Sequence, residues 1–316
     1  MAGPDVNPRA AGLVLGYLAD QAFGDPRRGH PVSGFGRIAR TTERALYADH
    51  RAAGTLFTAV LVGGAAGLGY GVDRLTRRRP LVRTAVTAAA TWTVLGGRSL
   101  AREATTIDGQ LRRADLPAAR RQVTHLVGRD PSRLDAAGVA RATLESLAEN
   151  TSDAVVAPLL WGAVAGPAGL LGYRAANTLD ARVGHRTPRH ERFGWASARF
   201  DDLLNLAPAR LSALLAAGLG ERPGAALTAW RRDAHRHPSP NAGPVEAAFA
   251  GALGVTLGGV NVYQGVVEDR GTLGDGPAPE PGDIARGVRL AARVGAGALA
   301  VSAVVASAST VVARIT

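Results

Sequence analysis

Four stretches of about 20 residues carry no charge in a chain one fifth of whose residues are charged: Arg51 to Asp73, Asp153 to Arg174, Glu246 to Glu268 and Arg293 to Arg314. At about 1.5 Å of rise per residue, each run is long enough as a helix to cross the ~30 Å hydrocarbon layer of a bilayer. Helices buried inside a soluble protein give the same letters, because Ala and Gly dominate and Ala is nearly neutral toward insertion. Four such runs are nonetheless hard to house in a soluble core. The 40 glycines and the low aromatic content of 5% suit close helix packing in a membrane. The expectation is an all-α, polytopic integral membrane protein with additional soluble or interfacial helices. Two shorter uncharged runs, Thr84 to Gly97 and Leu211 to Gly220, are marginal. Acidic Asp5 stands where a cleavable leader would carry bases.

The Arg74, Arg77, Arg78, Arg79 and Arg83 cluster is expected on the cytoplasmic side. The Arg-rich stretch 98–153 would then fall on the opposite side if Thr84 to Gly97 crossed fully, so one of the two has to give way. Pro158 and Pro167 remove helix hydrogen bonds from the second run and predict a broken or re-entrant segment. The chain reads as one domain, 1–316, with 98–153 as a polar helical insertion and 271–282 as a flexible loop. Helix starts are predicted at Asp115-Leu116-Pro117 and at Asp135, and another helix over Val245 to Leu253.

Net charge is +11, and every basic side chain is Arg. The absence of Lys excludes a phosphate-binding loop of the Walker type, Schiff-base chemistry and lysyl-adenylate ligation. The absence of Cys excludes disulfides, thiolate nucleophiles and iron–sulfur clusters. The surplus of Arg fits either a solvated surface or a face turned toward polyanions.

Three polar constellations stand out. Glu145, Glu149 and Asp153 are spaced i, i+4, i+8, which on a continuous helix stacks three carboxylates on one face. Such acids coexist when a cation compensates, and Mg²⁺ takes oxygen ligands of this kind. Arg174, Asn177 and Asp180 repeat every three residues. Asp201 and Asp202 with Asn205, flanked by Arg199 and Arg210, place acids, an amide and guanidinium groups within reach of metal-bound phosphate oxygens. Ion-paired surface helices produce similar patterns, but at the ends of membrane segments ionisable residues default to function. Asp25 and His30 offer an acid and a base near the amino end. Ser239 and Asn241 lie in a loop whose amides can bind an anion or cap the following helix.

Longer strings carry a resemblance. E-S-L-A-E-N-T-S-D-A-V-V-A-P-L-L-W (Glu145 to Trp161), Y-R-A-A-N-T-L-D (Tyr173 to Asp180), F-G-W-A-S-A-R-F-D-D-L-L-N (Phe193 to Asn205) and H-P-S-P-N-A-G (His237 to Gly243) occur in this order. With G-D-P at Gly24 and H-P-V at His30, the chain resembles the CobD/CbiB family, the adenosylcobinamide-phosphate synthases of cobalamin biosynthesis. It departs from the family pattern at Ala181-Arg182, where Ser-Met is usual, and at His185, where an aromatic is usual.

The resemblance implies a multi-pass enzyme of the cell membrane with a cytoplasm-facing site. It implies ATP-dependent amide formation between the corrinoid adenosylcobyric acid and (R)-1-amino-2-propanol or its phosphate. Mg²⁺ and ATP are the expected cofactor and co-substrate. Membrane lipids and other cobalamin-pathway proteins are expected partners, and nucleic acid is not. On this reading Glu145, Glu149, Asp153, Asp201 and Asp202 hold metal. Arg174, Asn150, Asn177, Asn205, Arg210, Ser239 and Asn241 hold substrate or phosphate, while Asp25, His30 and Asp180 move protons, all converging in one pocket at the lipid boundary. A Mg²⁺-dependent intramembrane prenyltransferase and a non-catalytic transporter or scaffold are the competing classes.

Overall fold

Side-chain caps and prolines in the sequence set where most helices begin. Asn7 accepts the Arg9 and Ala10 N–H groups ahead of Pro8, and His30 accepts Val32 N–H ahead of Pro31. Asp115 and Asp135 accept the N–H of Ala118 and Gly138. Each cap satisfies a donor that the first turn leaves orphaned, and proline fits there because its missing N–H has no helical partner to lose.

The computed structural model describes residues 7–25, 30–185, 187–263 and 266–315. In chain order these form α1 (Pro8–Phe23), α2 (Pro31–Leu46), α3 (Arg51–Thr76), α4 (Pro80–Val94), α5 (Gly97–Arg112), α6 (Leu116–Val123) and α7 (Ala136–Thr151). There follow α8 (Ala157–Leu179), α9 (Trp195–Leu219), α10 (Pro223–Asp233), α11 (Ala242–Leu253), β1 (Leu257–Tyr263), β2 (Val266–Leu273) and α12 (Asp283–Ile315). Widened π turns occupy Ser152–Val156 and Asp180–Gly184. Packing divides the chain into two compact units. One is Met1–Gly96, Ala157–Asn205 and Leu299–Thr316; the other is Gly97–Val156 and Leu206–Ala298. The polar stretch 98–153 thus groups with 206–298.

Among the described residues three helical stretches are long and apolar enough to span a membrane: Arg51–Thr76, Ala136–Gly184 and Asp283–Ala308. Most of the apolar window of the first and third is unburied, and α3 exposes Leu56, Val60, Leu68 and Tyr70. A core helix would hide those side chains, whereas a bilayer solvates them. The helical membrane architecture is therefore as expected, with two corrections of detail. The run Glu246 to Glu268 is no span: Gly254, at φ 67, ends α11 in a left-handed cap, and the chain turns into an antiparallel β1–β2 hairpin. α11 is buried along its whole length, so its apolar letters belong to a core. α4 has only 15 residues, fewer than a bilayer crossing needs, so the full crossing at Thr84 to Gly97 is the reading that gives way.

In the first unit α1 lies against α4 and α3 against α8. Gly12 and Gly16 let α1 approach Thr87 and Thr91, and Gly69 lets α3 touch the Pro167 carbonyl; a Cβ at any of the three would collide. Phe57, Phe193, Leu61 and Leu179 fill the core between them. α8 breaks at Gly166 (φ 60, ψ −144), before Pro167. Proline has no N–H to give the Ala163 carbonyl, and Arg9 Nη1 supplies the missing donor, 3.2 Å from Ala163 O and 3.1 Å from Val164 O. Arg9→Met should therefore leave two carbonyls of the kink without a side-chain donor. We expect a loss of about 1–3 kcal/mol, read as a lower midpoint in detergent unfolding. A change under a few tenths would show the kink to be satisfied without it.

The second unit packs α11 against α10 and α7, with α5 against α6 and α7 and the hairpin beside them. The loop after β2 is held by Thr256 N–H on Pro277 O (2.9 Å) and by Gly282 N–H on Asp108 Oδ1 (2.9 Å).

Candidate functional site

Helical spacing and one tertiary approach assemble an acid–amide network in the first unit. Asp201 and Asn205 are one turn apart on α9, and Asn205 Nδ2 donates to Asp201 Oδ2 at 2.9 Å. Tyr173 of α8 donates its hydroxyl to Asn205 Oδ1 at 2.8 Å, orienting the amide. Asn177 also hydrogen-bonds Asp201, and Asp180 acts on it as a like charge. Asp201 is 7% exposed, and its Oδ1 has no hydrogen-bond partner among the described residues. Burial, and after it Asp180, pushes the Asp201 carboxyl up to about 7, against the hydrogen bonds from Asn205 and Asn177. Asp180 starts a π turn whose last residue, Gly184, lies against the Asp180 carboxylate; a Cβ there would run into Oδ1.

The two acids of the D-D pair have different surroundings. Neighbouring residues on a helix point about 100° apart, so Asp201 turns inward while half-buried Asp202 meets Arg199 at 3.5 Å. Burial raises the Asp202 carboxyl and Arg199 opposes that rise. Asp25 Oδ1 and His30 Nε2 stand 3.6 Å apart, while His30 Nδ1 caps α2. Arg174 and Thr178 are polar groups in the wall of a cavity of about 480 Å³, otherwise lined by side chains such as Phe35, Ile38, Leu61 and Leu171.

The second unit holds the other sequence-predicted residues in different company. Glu145, 1% exposed, pairs through Oε2 with Arg129, and its Oε1 accepts the Gly258 N–H at 2.8 Å with Arg141 at 3.8 Å. Both oxygens are engaged by protein, which is the arrangement of a structural ion pair rather than of a metal ligand. The expected stack with Glu149 and Asp153 assumed an unbroken α-helix. A π turn occupies Ser152–Val156, so the helix is not a regular α-spiral where it reaches Asp153. Among the described residues no three His, Asp or Glu side chains are arranged to enclose a metal ion.

Asn150 donates to Ser146 O (2.9 Å) and Oγ (3.0 Å). Arg210 Nη1 donates to Asn241 Oδ1 at 2.8 Å. Ser239 Oγ accepts from the amides of Asn241 and Ala242, so this loop caps α11 with the N–H groups that an anion would have used.

Sequence reasoning missed Tyr173, Arg129 and, above all, Glu246 with His237. Glu246 is fully buried in α11, neither oxygen has a hydrogen-bond partner among the described residues, and His237 Nε2 is 3.6 Å from Oε1. Burial first, then Glu145 and Glu149, push the Glu246 carboxyl up. Burial, then Arg270, pushes the His237 imidazole down to about 4. The available signal was a single acid between the H-P-S-P-N-A-G string and an apolar run.

The model of the CobD/CbiB protein family matches residues 13–291. Cobalamin biosynthesis protein CobD of Mycobacterium tuberculosis is 52% identical over 294 residues, covering 92% of this chain and 93% of that protein. Proteins of the same name from Chromobacterium violaceum and Rhodobacter capsulatus are 45% and 44% identical, over 89% and 94% of this chain and 91% and 97% of theirs. No solved structure matches. Since the family match takes in every motif string quoted above and the relatives align over nearly the whole length, this chain belongs to the CobD/CbiB family.

Proposed function

We propose that this membrane protein acts in cobalamin biosynthesis as an ATP-dependent amide ligase. It joins a carboxylate of adenosylcobyric acid to (R)-1-amino-2-propanol or its phosphate. The observation that carries this reading is Asp201: a buried carboxylate with one oxygen left over, beside a second carboxylate and fixed by two amides. A carboxylate substrate is a poor electrophile. Transfer of the terminal phosphoryl group of ATP onto its oxygen, releasing ADP, turns it into an acyl phosphate. Attack by the neutral amine then forms the amide and expels phosphate, while the amine's proton passes to a base. No enzyme nucleophile is required, in keeping with a chain that lacks Cys and Lys.

Asp180 and Asp201 fit a Mg²⁺ ion shared with phosphate oxygens, since Mg²⁺ accepts one or two protein carboxylates and takes its other ligands from phosphate and water. When bound, Mg²⁺ would supply charge neutralisation at the transferring phosphoryl group. Asn177 and Asn205 hold Asp201 in place, and Tyr173 holds Asn205. Arg174, in the wall of the apolar cavity, suits a carboxylate or phosphate on an otherwise apolar ligand. Asp25 and His30 form a pair able to take the amine's proton. We place the active site on the cytoplasmic face of the cell membrane, where ATP is available.

The test is direct. Purified protein in detergent is incubated with adenosylcobyric acid, aminopropanol or its phosphate, ATP and Mg²⁺, and products are read by mass spectrometry. The expected result is the condensed corrinoid together with stoichiometric ADP. Folded protein that consumes no ATP and yields no condensed mass with either amine would overturn the proposal.

A further inference from the structure

The second unit satisfies its buried acids with care, apart from one. Asp233, fully buried, is gripped by Arg232 through both oxygens, by Arg236 at 3.2 Å and by Gly274 N–H at 3.0 Å. Glu145 has Arg129, Arg141 and Gly258 N–H. Glu246 is as deeply buried as either, and among the described residues no donor lies within hydrogen-bonding distance of its oxygens. A buried carboxyl left without a donor is costly enough to need a reason.

The surroundings restrict what that reason can be. Two further carboxylates, Glu145 and Glu149 on α7, act on Glu246, as do Arg129 from the segment before α7 and Arg270 from β2. Arg129 is already committed to Glu145. His237 has one ring nitrogen, Nδ1, nearer to the Ser239 N–H (3.0 Å) than to the Ser239 carbonyl (3.4 Å). Nδ1 is therefore the acceptor, and the proton of the neutral ring sits on Nε2, the atom facing Glu246 Oε1.

An anion would bring no donor to the Glu246 carboxylate and would be repelled by its charge. A transition metal would find no imidazole lone pair, because Nδ1 is engaged and Nε2 carries hydrogen. An apolar group would bring no donor. A primary ammonium brings three N–H donors and one positive charge, which is what the two Glu246 oxygens lack among the described residues.

We propose that Glu246, flanked by His237, binds the ammonium group of a small primary amine inside the second unit. Glu246 accepts two of its N–H bonds, and the Nε2 of His237 faces the same carboxylate at 3.6 Å. The binding site itself rests on the cluster.

The probe is 1-amino-2-propanol hydrochloride, titrated calorimetrically into the full-length protein in detergent, with 1,2-propanediol as the isostere lacking the ammonium. The amine is expected to bind and the diol not to. Glu246→Gln keeps the shape and removes the charge, and is expected to weaken amine binding at least about tenfold, the effect of losing a hydrogen bond to a charged group. If Glu246→Gln does not fold, Glu246→Asp keeps the charge, withdraws it by one methylene, and should weaken binding too. Unchanged amine affinity in the folded variant, or equal binding of the diol, overturns the site. Formation of the condensed product by the unmodified protein would still stand in that case, so the two proposals fail separately.

Discussion

Replacing Asp201 with Asn is expected to lower amide-forming turnover by about 10²–10³-fold while making the metal-free protein more stable at alkaline pH. The two effects have one cause. Asn has the shape of Asp, and its oxygen can still accept the Asn205 Nδ2 proton, so the network with Tyr173 survives. What disappears is a negative charge held 7% exposed beside Asp180. The folded carboxyl titrates near 7, above its ordinary value of 3.8, so the folded state holds that proton more tightly than the unfolded chain does. The associated stability is complete below about pH 4 and is lost as pH rises through about 7, an upper bound of about 4 kcal/mol. Thermal unfolding in detergent with chelator, followed from pH 5 to pH 8.5, should show the decline in the parent protein and little of it in Asp201→Asn. Added Mg²⁺ should restore the parent protein at high pH and leave the variant unmoved. A variant that keeps full turnover would remove Asp201 from phosphate and metal handling. An unchanged pH profile would show that burial does not hold its proton.

Local chemistry was legible in the sequence, and pairing across distance was not. Asp115 and Asp135 read as helix caps because a cap is decided within four residues, and both are caps in the structure. The i, i+4 relation of Asp201 and Asn205 was visible for the same reason. The break in α8 was announced by Pro167, but the donor that satisfies it, Arg9, lies 154 residues away and left no local trace. The stack of Glu145, Glu149 and Asp153 was drawn on an ideal helix, and nothing in those letters signals a π turn. The hairpin after Gly254 was hidden because an uncharged run of Ala, Gly and Val is equally compatible with a bilayer span, a buried helix and a strand. Glu246 stood at the edge of that run and looked like its boundary. Only the fold, by closing α7 and α10 around α11, shows it to be interior.

Arg129→Ala is expected to destabilise the protein by about 3–5 kcal/mol, because it removes the main partner of a carboxylate that has no route to water. Arg129 is 4% exposed and Glu145 1%, so solvent replaces neither the charge nor the hydrogen bond. Gly258 N–H would remain on Oε1, and Arg141, 3.8 Å away and partly exposed, can move closer, which places the effect at the lower end of that range. The loss would also strip Glu246 of one of the two cationic fields acting on it, so amine affinity should change along with stability. A double replacement separates the pair's net contribution from the penalty of leaving one ion alone. Arg129→Met with Glu145→Met fills similar volume with apolar atoms and should recover most of the stability lost by Arg129→Ala, since a desolvated ion pair and a well-packed apolar pair are often near in free energy. Unfolding midpoints in detergent for the two single variants and the double variant test this. If Arg129→Ala costs less than about 1 kcal/mol, Glu145 is being satisfied by Arg141 and Gly258 alone, and the buried pair does not hold α7 to the segment that precedes it.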